Sequence, residues 1–340
     1  MFFQTEPLDS VDLSLAGSVL LLRYDRLGDM VISTGLFRLL KERYPGLRIH
    51  VLASPSNAGI IRHDPNVHMV HIFDKTRPRG FPRLLSTLRR ERFYAAVNLV
   101  FYPSLTGAVL AGLSAPLRVR VATEKSLDAF YSVNCRRTIW GAAKRTMLEE
   151  TADVFRLLGG SLEGKDISPV IFPGDEATVL ARKTIRSASP RIGLNLAAGD
   201  PAREWRLDNW AETIRMILER FPLASVHIFT PPGDSRGNAL SDACRNPGSV
   251  LPVPQTSDIL QVAAFLSRMD LLVTPDTAMV HIADALGVSL VPMYISHEKS
   301  VLWKPVRALT RCLVSESGRL DSIPPSEVAA CVSCVLEVGN

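Results

Sequence analysis

Along the first half of the chain, short apolar runs alternate with stretches in which apolar residues recur at helical spacing. Val19–Leu22, Ile49–Ala53, His68–Phe73, Ala95–Val100 and Leu117–Val121 read as strands, and Arg38–Tyr44, Phe81–Arg92 and Ser104–Leu113 read as helices or parts of them. Val31, Leu36, Phe37, Leu39 and Leu40 extend the first helix pattern, which Tyr44-Pro45-Gly46 ends. A helix from about Lys144 to Leu158 stops at Gly159-Gly160, and the polar stretch through Pro169 and Pro173 reads as a linker. The pattern then restarts. Strands are expected at Arg191–Leu196, Ser225–Thr230, Leu271–Thr274 and Ser289–Tyr294, and helices near Leu207–Arg220, Ser257–Ser267 and Thr277–Leu286. Repeated βα units imply parallel sheets with helices on their faces. The expected architecture is α/β, two Rossmann-like domains facing a central cleft: residues 1–165, then 166–324. A final helix, within 325–340, is expected to pack back on the first domain.

Composition fits this picture. Apolar residues make up 46% and charged residues 21% of 340, and the net charge is +5. That excess is too small to imply nucleic acid, and no interleaving of aromatic and basic residues suggests it either. Glu6, Asp9 and Asp12 stand where a secretory signal needs a basic and then an apolar segment, so a cytoplasmic location is expected. The uncharged stretch Phe93–Leu117 is broken by Asn98, Pro103, Gly107, Gly112 and Pro116, and reads as strand, loop and helix rather than as a membrane span. Five scattered cysteines, Cys135, Cys244, Cys312, Cys331 and Cys334, suit a reducing compartment. The lone pair Cys331 and Cys334 reads as one helix face, and no metal is expected.

Three blocks carry candidate chemistry. Val19–Leu22 runs through Arg23-Tyr24-Asp25-Arg26-Leu27-Gly28-Asp29, placing Asp29 at a strand-to-helix junction where α/β sheets bind ligands. Glycine before it allows a sharp turn, and the acid fits two roles equally, a helix cap or a catalytic group. In the second half, Leu271–Val273 leads into Asp276-Thr277-Ala278-Met279-Val280-His281. The helix start after Thr277 is a ready anion site, and His281 lies one turn further along the same face. The third block, Asn195 to Arg206, joins a strand end to a small-residue loop carrying Arg203, whose guanidinium suits a phosphate clamp, with Trp205 as an anchor. A fourth loop, Thr230–Arg236, offers Asp234 for ribose hydroxyls. There is no G-x-G-x-x-G after the first strand, no P-loop, no G-x-S-x-G and no Asp-x-Asp triplet, so protein cations and a helix end would have to neutralise any diphosphate.

In order and wording these blocks resemble glycosyltransferase family 9, the heptosyltransferases of lipopolysaccharide core assembly. Leu27-Gly28-Asp29 with Thr34 and the helix end at Tyr44-Pro45 is similar to the family's first motif. Arg203 and Trp205 match its second, and Asp276, Thr277 and His281 match its donor motif D-T-x-x-x-H. Ala278 departs from the usual glycine, Gly35 from a common proline, and Pro292–His297 from a segment that often carries a glycine before Trp303-Lys304-Pro305. The resemblance implies a GT-B inverting transferase moving heptose from ADP-heptose to an anionic lipid-linked or glycan acceptor. Asp29 is then the base, Gly28 belongs to the acceptor-side loop, and Arg203, Asp276, Thr277, Ala278, His281 and Asp234 bind the donor. No cofactor beyond that co-substrate is implied. The cations Arg62, Arg77, Arg79, Arg83, Arg89, Arg90, Arg118, Arg120 and Lys125 of the first half suit an anionic acceptor and peripheral association with the inner membrane face. A different nucleotide sugar or acceptor, or a non-catalytic nucleotide-sugar-binding module, are the alternatives.

Overall fold

The computed structural model describes residues 11–121, 127, 130–135, 145–185, 189–244 and 248–338. Lys125, Lys144, the side chain of Arg120 and the last two residues of the final helix segment lie outside them. The chain divides into two compact units between Val170 and Ile171, a few residues beyond the boundary read from the sequence.

The first unit contains β1 (Ser18–Leu22), α1 (Leu27–Arg43), β2 (Arg48–Ala53), β3 (Met69–Ile72), α2 (Phe81–Arg90), β4 (Ala95–Asn98), α3 (Leu105–Ser114), β5 (Leu117–Val121), β6 (Val133–Cys135) and α4 (Met147–Leu157). Its six strands are parallel in the order β3-β2-β1-β4-β5-β6. The order reverses between β1 and β4, the switch point where doubly wound sheets bind ligands. Helix α1 starts at Leu27, so Gly28 and Asp29 belong to its first turn. Every residue from Gly28 to Phe37 is buried, which is why no amphipathic period marks that half of the helix. Gly35 permits a close approach: a Cβ there would lie 2.0 Å from the Ile167 carbonyl oxygen. Thr34 completes the same contact by accepting a hydrogen bond from the Val170 N–H at 2.9 Å. Helix α4 opens on a capping box between Thr146 and Glu149.

The second unit repeats the plan. It contains α5 (Asp175–Thr184), β7 (Arg191–Asn195), α6 (Leu207–Arg220), β8 (Ser225–Phe229), α7 (Arg236–Ala243), β9 (Val250–Pro252), α8 (Ile259–Leu266), β10 (Leu271–Pro275), α9 (Ala278–Leu286), β11 (Ser289–Tyr294), α10 (His297–Leu302), β12 (Leu313–Val314) and α11 (Pro325–Val338). Strand order is β12-β11-β10-β7-β8-β9, all parallel, with the switch between β7 and β10. The last helix, expected from the sequence to lie near the first domain, contributes to the core of the second unit. Val328, Val332, Val335 and Leu336 of α11 join Trp210, Ile214 and Ile217 of α6 in one apolar cluster, so α11 buries its stripe within its own unit. Cys331 and Cys334 sit on α11 as free thiols.

Candidate active site

In the first unit the Asp29 side chain is held by a residue the sequence gave no reason to single out. Arg23, just past β1, is fully buried. Its Nε donates to the Asp29 carbonyl oxygen at 3.0 Å, and its Nη2 lies 3.4 Å from Asp29 Oδ1. Nη1 donates to the Leu99 carbonyl and lies 3.3 Å from Asp25 Oδ2, while the guanidinium carbon sits 4.9 Å above the Phe101 ring. Charge, hydrogen bonds and an aromatic face together make burial of the cation tolerable. Asp29 is not the N-cap of α1; Arg26 holds that position, without a side-chain cap bond. Burial pushes the Asp29 carboxyl up to about 6; Arg23 draws it down and Asp25 raises it again. The second oxygen of Asp25 is buried with no hydrogen-bond partner among the described residues. Tyr102, whose phenol burial and the carboxylates of Asp25 and Asp29 push up, faces this acidic loop from beyond β4.

The second unit brings together Asn195, Arg203, Asp276 and Thr277. Thr277 is the N-cap of α9 and accepts from the Met279 N–H at 3.3 Å, so the sequence does place a capped helix start at the end of β10. Asn195, at the end of β7, ties the two strands across the switch point. Its Nδ2 donates to Thr274 Oγ1 at 2.9 Å and to Thr277 Oγ1 at 3.2 Å. Arg203 Nη1 donates to the Asp276 carbonyl at 2.6 Å and lies 3.7 Å from its carboxylate. The Arg203 loop is fixed by Trp205, which is buried, donates from Nε1 to the Ile323 carbonyl at 3.1 Å and meets Trp210 edge-on at 4.8 Å. A guanidinium thus stands at the positive end of a helix, an arrangement that favours phosphate oxygens. Ala278 is the first residue of that helix and is half-exposed.

His281 is buried one turn along α9, with its ring 5.6 Å from Trp303. Burial pushes its pKa down to about 4, so at neutral pH it is an uncharged imidazole. The unusual segment before Trp303 begins α10: Ser296 caps it by accepting from the Lys299 N–H. Asp284, further along α9, is a buried acid not read from the sequence. It accepts from the N–H groups of Val306, Arg307 and Ala308 at 2.8–3.1 Å and so pins the loop that carries Trp303. Asp234 is placed at the end of β8 but is not open. Arg236 bonds its carboxylate from Nε and Nη2 at 2.7–3.1 Å and holds its pKa below the usual range. Of the cations proposed for the acceptor, Arg118 is buried in β5, whereas Arg77, Arg79, Arg83, Arg89 and Arg90 are exposed. Among the described residues no group of three or more His, Cys, Asp or Glu could hold a metal ion.

The chain is similar to several known proteins. A glycosyltransferase family 9 protein from Veillonella parvula superposes with a TM-score of 0.80 at 17% identity, covering 97% of this chain and 99% of that one. The ADP-heptose lipopolysaccharide heptosyltransferase II of E. coli gives 0.75 at 20% identity, covering 94% and 99%. The lipopolysaccharide core heptosyltransferase OpsX of Haemophilus influenzae is 17% identical over 283 residues, which is 82% of this chain and 79% of that protein. The two-sheet α/β architecture is that of these GT-B heptosyltransferase structures. Residues 82–323, which include Arg203, Asp276, Thr277 and His281 but not Asp29, match the model of glycosyltransferase family 9 (heptosyltransferase); the chain belongs to that family of glycosyltransferases.

Proposed function

We propose that this glycosyltransferase moves heptose from ADP-heptose to an anionic lipopolysaccharide-core acceptor with inversion at the anomeric carbon. One observation carries the reading: Asp29 presents a buried carboxylate at the switch point of the first sheet, steadied by Arg23 and not used as a helix cap. In the proposed step an acceptor hydroxyl oxygen bonds to the anomeric carbon as the bond from that carbon to the diphosphate breaks. The electron pair leaves with ADP, and the hydroxyl proton passes to Asp29. A single displacement inverts the centre, as a base on the attacking side requires. Arg203 and the amides opening α9 meet the charge gathering on the diphosphate. Asp276 holds sugar hydroxyls, and the neutral His281 orients the donor without adding charge. Asp234 reaches the ribose only by sharing its carboxylate with Arg236. Gly28, expected in an acceptor-side loop, lies in the first turn of α1, where its lack of a side chain leaves room beside Asp29 for the acceptor.

Support for the donor comes from the E. coli relative described as using ADP-heptose, and for the acceptor from the exposed arginines of the first unit. No helix among the described residues is long and apolar enough to cross a membrane, and the basic surface suits peripheral attachment to the cytoplasmic face. Ala278 at the start of α9 favours testing other nucleotides alongside ADP, because a methyl group there changes how closely phosphates approach.

Calorimetric titration with ADP, UDP, GDP and ADP-heptose, with and without EDTA, tests the donor. Preference for ADP compounds in both conditions supports the reading. Preference for UDP or GDP rejects heptose, and loss of binding in EDTA rejects metal independence. An assay of ADP release with Asp29→Asn tests the base: turnover is lost while ADP binding persists, whereas loss of both marks a structural role.

A further inference from the structure

The first unit holds a cavity that neither the Asp29 chemistry nor the donor residues occupy. Its volume is about 770 Å³, in the range of small-ligand sites. It opens where β2 and β3 end, with Pro55 following one strand and Phe73 the other, on the edge where parallel sheets take ligands. The walls are apolar. Phe73 and Phe81 meet edge-on at 6.3 Å, and Leu84 of α2 and Ile72 complete the lining. Ile72 is 45% exposed, and Phe81 and Leu84 are only half-buried, so this surface stays wet unless something covers it.

The rim is cationic. Lys75 and Arg77 are exposed, and the Lys75 ammonium sits 4.9 Å above the Tyr24 ring. Asp74, the acid among the described lining residues, is turned into its own loop. It accepts from the Thr76 N–H at 2.9 Å and hydroxyl at 2.6 Å, and lies 3.5 Å from Arg77 Nε. Tyr24 joins the cavity to the Asp29 loop: its ring meets Phe73 edge-on at 5.4 Å, and it directly follows Arg23 in the chain. Its hydroxyl lies 2.9 Å from Ser104 Oγ, the N-cap of α3, whose Thr106 lines the far wall.

We propose that this cavity binds an amphiphilic anion, a hydrocarbon chain bearing a phosphate or carboxylate, with the chain against Phe73, Phe81 and Leu84 and the anion at Lys75 and Arg77. Resting on the transferase reading, the occupant is the nonpolar part of the acceptor, held beside the base by Tyr24. An acceptor that is sugar throughout leaves these walls unused.

The test titrates the full chain with octyl phosphate, inorganic phosphate and octyl glucoside, each below its micelle concentration, and separately with ADP. Octyl phosphate is expected to bind at least ~10-fold more tightly than either partial probe, since two buried methylenes alone supply such a factor. Leu84→Glu is expected to weaken it by a similar factor and to leave ADP binding unchanged. Thr106→Trp, from an exposed position on α3, fills the cavity without adding charge and should act likewise if Leu84→Glu does not fold. Equal binding of inorganic phosphate reduces the site to a cation patch and overturns the proposal, as does octyl phosphate binding that neither variant changes. Absence of ADP binding alone sinks the ADP-heptose reading and not the cavity.

Discussion

Arg23 grips Asp29 at two points, donating from Nε to its backbone carbonyl at 3.0 Å and placing Nη2 3.4 Å from its carboxylate. The backbone contact fixes where α1 begins, and the side-chain contact fixes where the carboxylate points. Because Nη1 also serves the Leu99 carbonyl after β4, the same cation couples the two central strands at the switch point to the start of the helix.

A carboxylate accepts a proton only when ionised, and burial raises Asp29 to about 6. Turnover should therefore fall as pH drops through about 6, roughly tenfold per unit below it. Initial rates between pH 4.5 and 8 check this, and a profile flat to pH 5 removes Asp29 as the base. The raised value also means that the ionised form costs stability above pH 6. Asp29→Asn should then lose about 10²–10⁴ in rate while ADP binding persists.

Arg23→Lys keeps the charge but cannot bridge Asp29, Asp25 and two carbonyls at once, since an ammonium lacks the planar fork. Two buried carboxylates are then less well compensated. The acid limb of the rate profile should move to higher pH, and stability should fall by roughly 3–5 kcal/mol, the usual cost of breaking a buried ion pair. Denaturant unfolding with the rate profile separates the two effects. A variant with unchanged stability and pH limb shows that Arg23 does not hold Asp29.

On the donor side, Arg203 stands in a loop whose fold depends on Trp205 rather than on the guanidinium. Arg203→Ala should weaken ADP binding by about tenfold or more, the worth of a charge-assisted hydrogen bond, with little change in melting temperature. Calorimetry with ADP decides it; equal affinity places the diphosphate elsewhere.

What was legible in the sequence followed from chain-local pattern. Strand ends running into helices located Asp29, Thr277 and the Arg203 loop. Arg23 is hidden in the sequence because a charge after an apolar run normally marks the surface, and only three-dimensional partners from Leu99 and Asp29 explain its burial. Asp284 was equally hidden, since the amides it collects lie more than twenty residues away. The partner of α11 could not be read because an apolar stripe shows that a helix packs, not against what. Asp234 is legible as an acid in the loop after β8, but its pairing with Arg236, only one residue away, shows only in three dimensions.

His227 in β8 is buried, and its pKa is pushed down to about 4, chiefly by burial and then by Arg191. A histidine whose folded value lies below its unfolded value stabilises fully above about 6.5 and loses that contribution as pH falls toward 4. Glu150, raised by burial to about 7, acts in the opposite sense. The informative comparison is therefore between proteins. Denaturation midpoints of His227→Gln should depend less steeply on pH between 6.5 and 4 than those of the natural chain. Parallel curves would show that His227 titrates normally in the fold.

Gly35 stands where family members commonly carry proline, and in this chain the segment at Ile167 and Ser168 lies directly against it. A Cβ at residue 35 would sit 2.0 Å from the Ile167 carbonyl oxygen and 2.9 Å from that of Ser168, so backbone and not a flexible side chain would have to move. Overpacking of this kind costs about 1–3 kcal/mol or more. The displaced segment also carries the Val170 N–H that bonds Thr34 Oγ1 at 2.9 Å, so the loss includes a hydrogen bond. Gly35→Ala should lower the unfolding midpoint clearly, and Gly35→Pro should do so further by adding ring atoms to the clash and removing a helical N–H from α1. Thr34→Val, which removes the acceptor without adding bulk at residue 35, should cost less than either. Equal stability of Gly35→Ala and the natural chain would mean that the Ile167 segment can withdraw from α1 without loss, and that the glycine is not required by this packing.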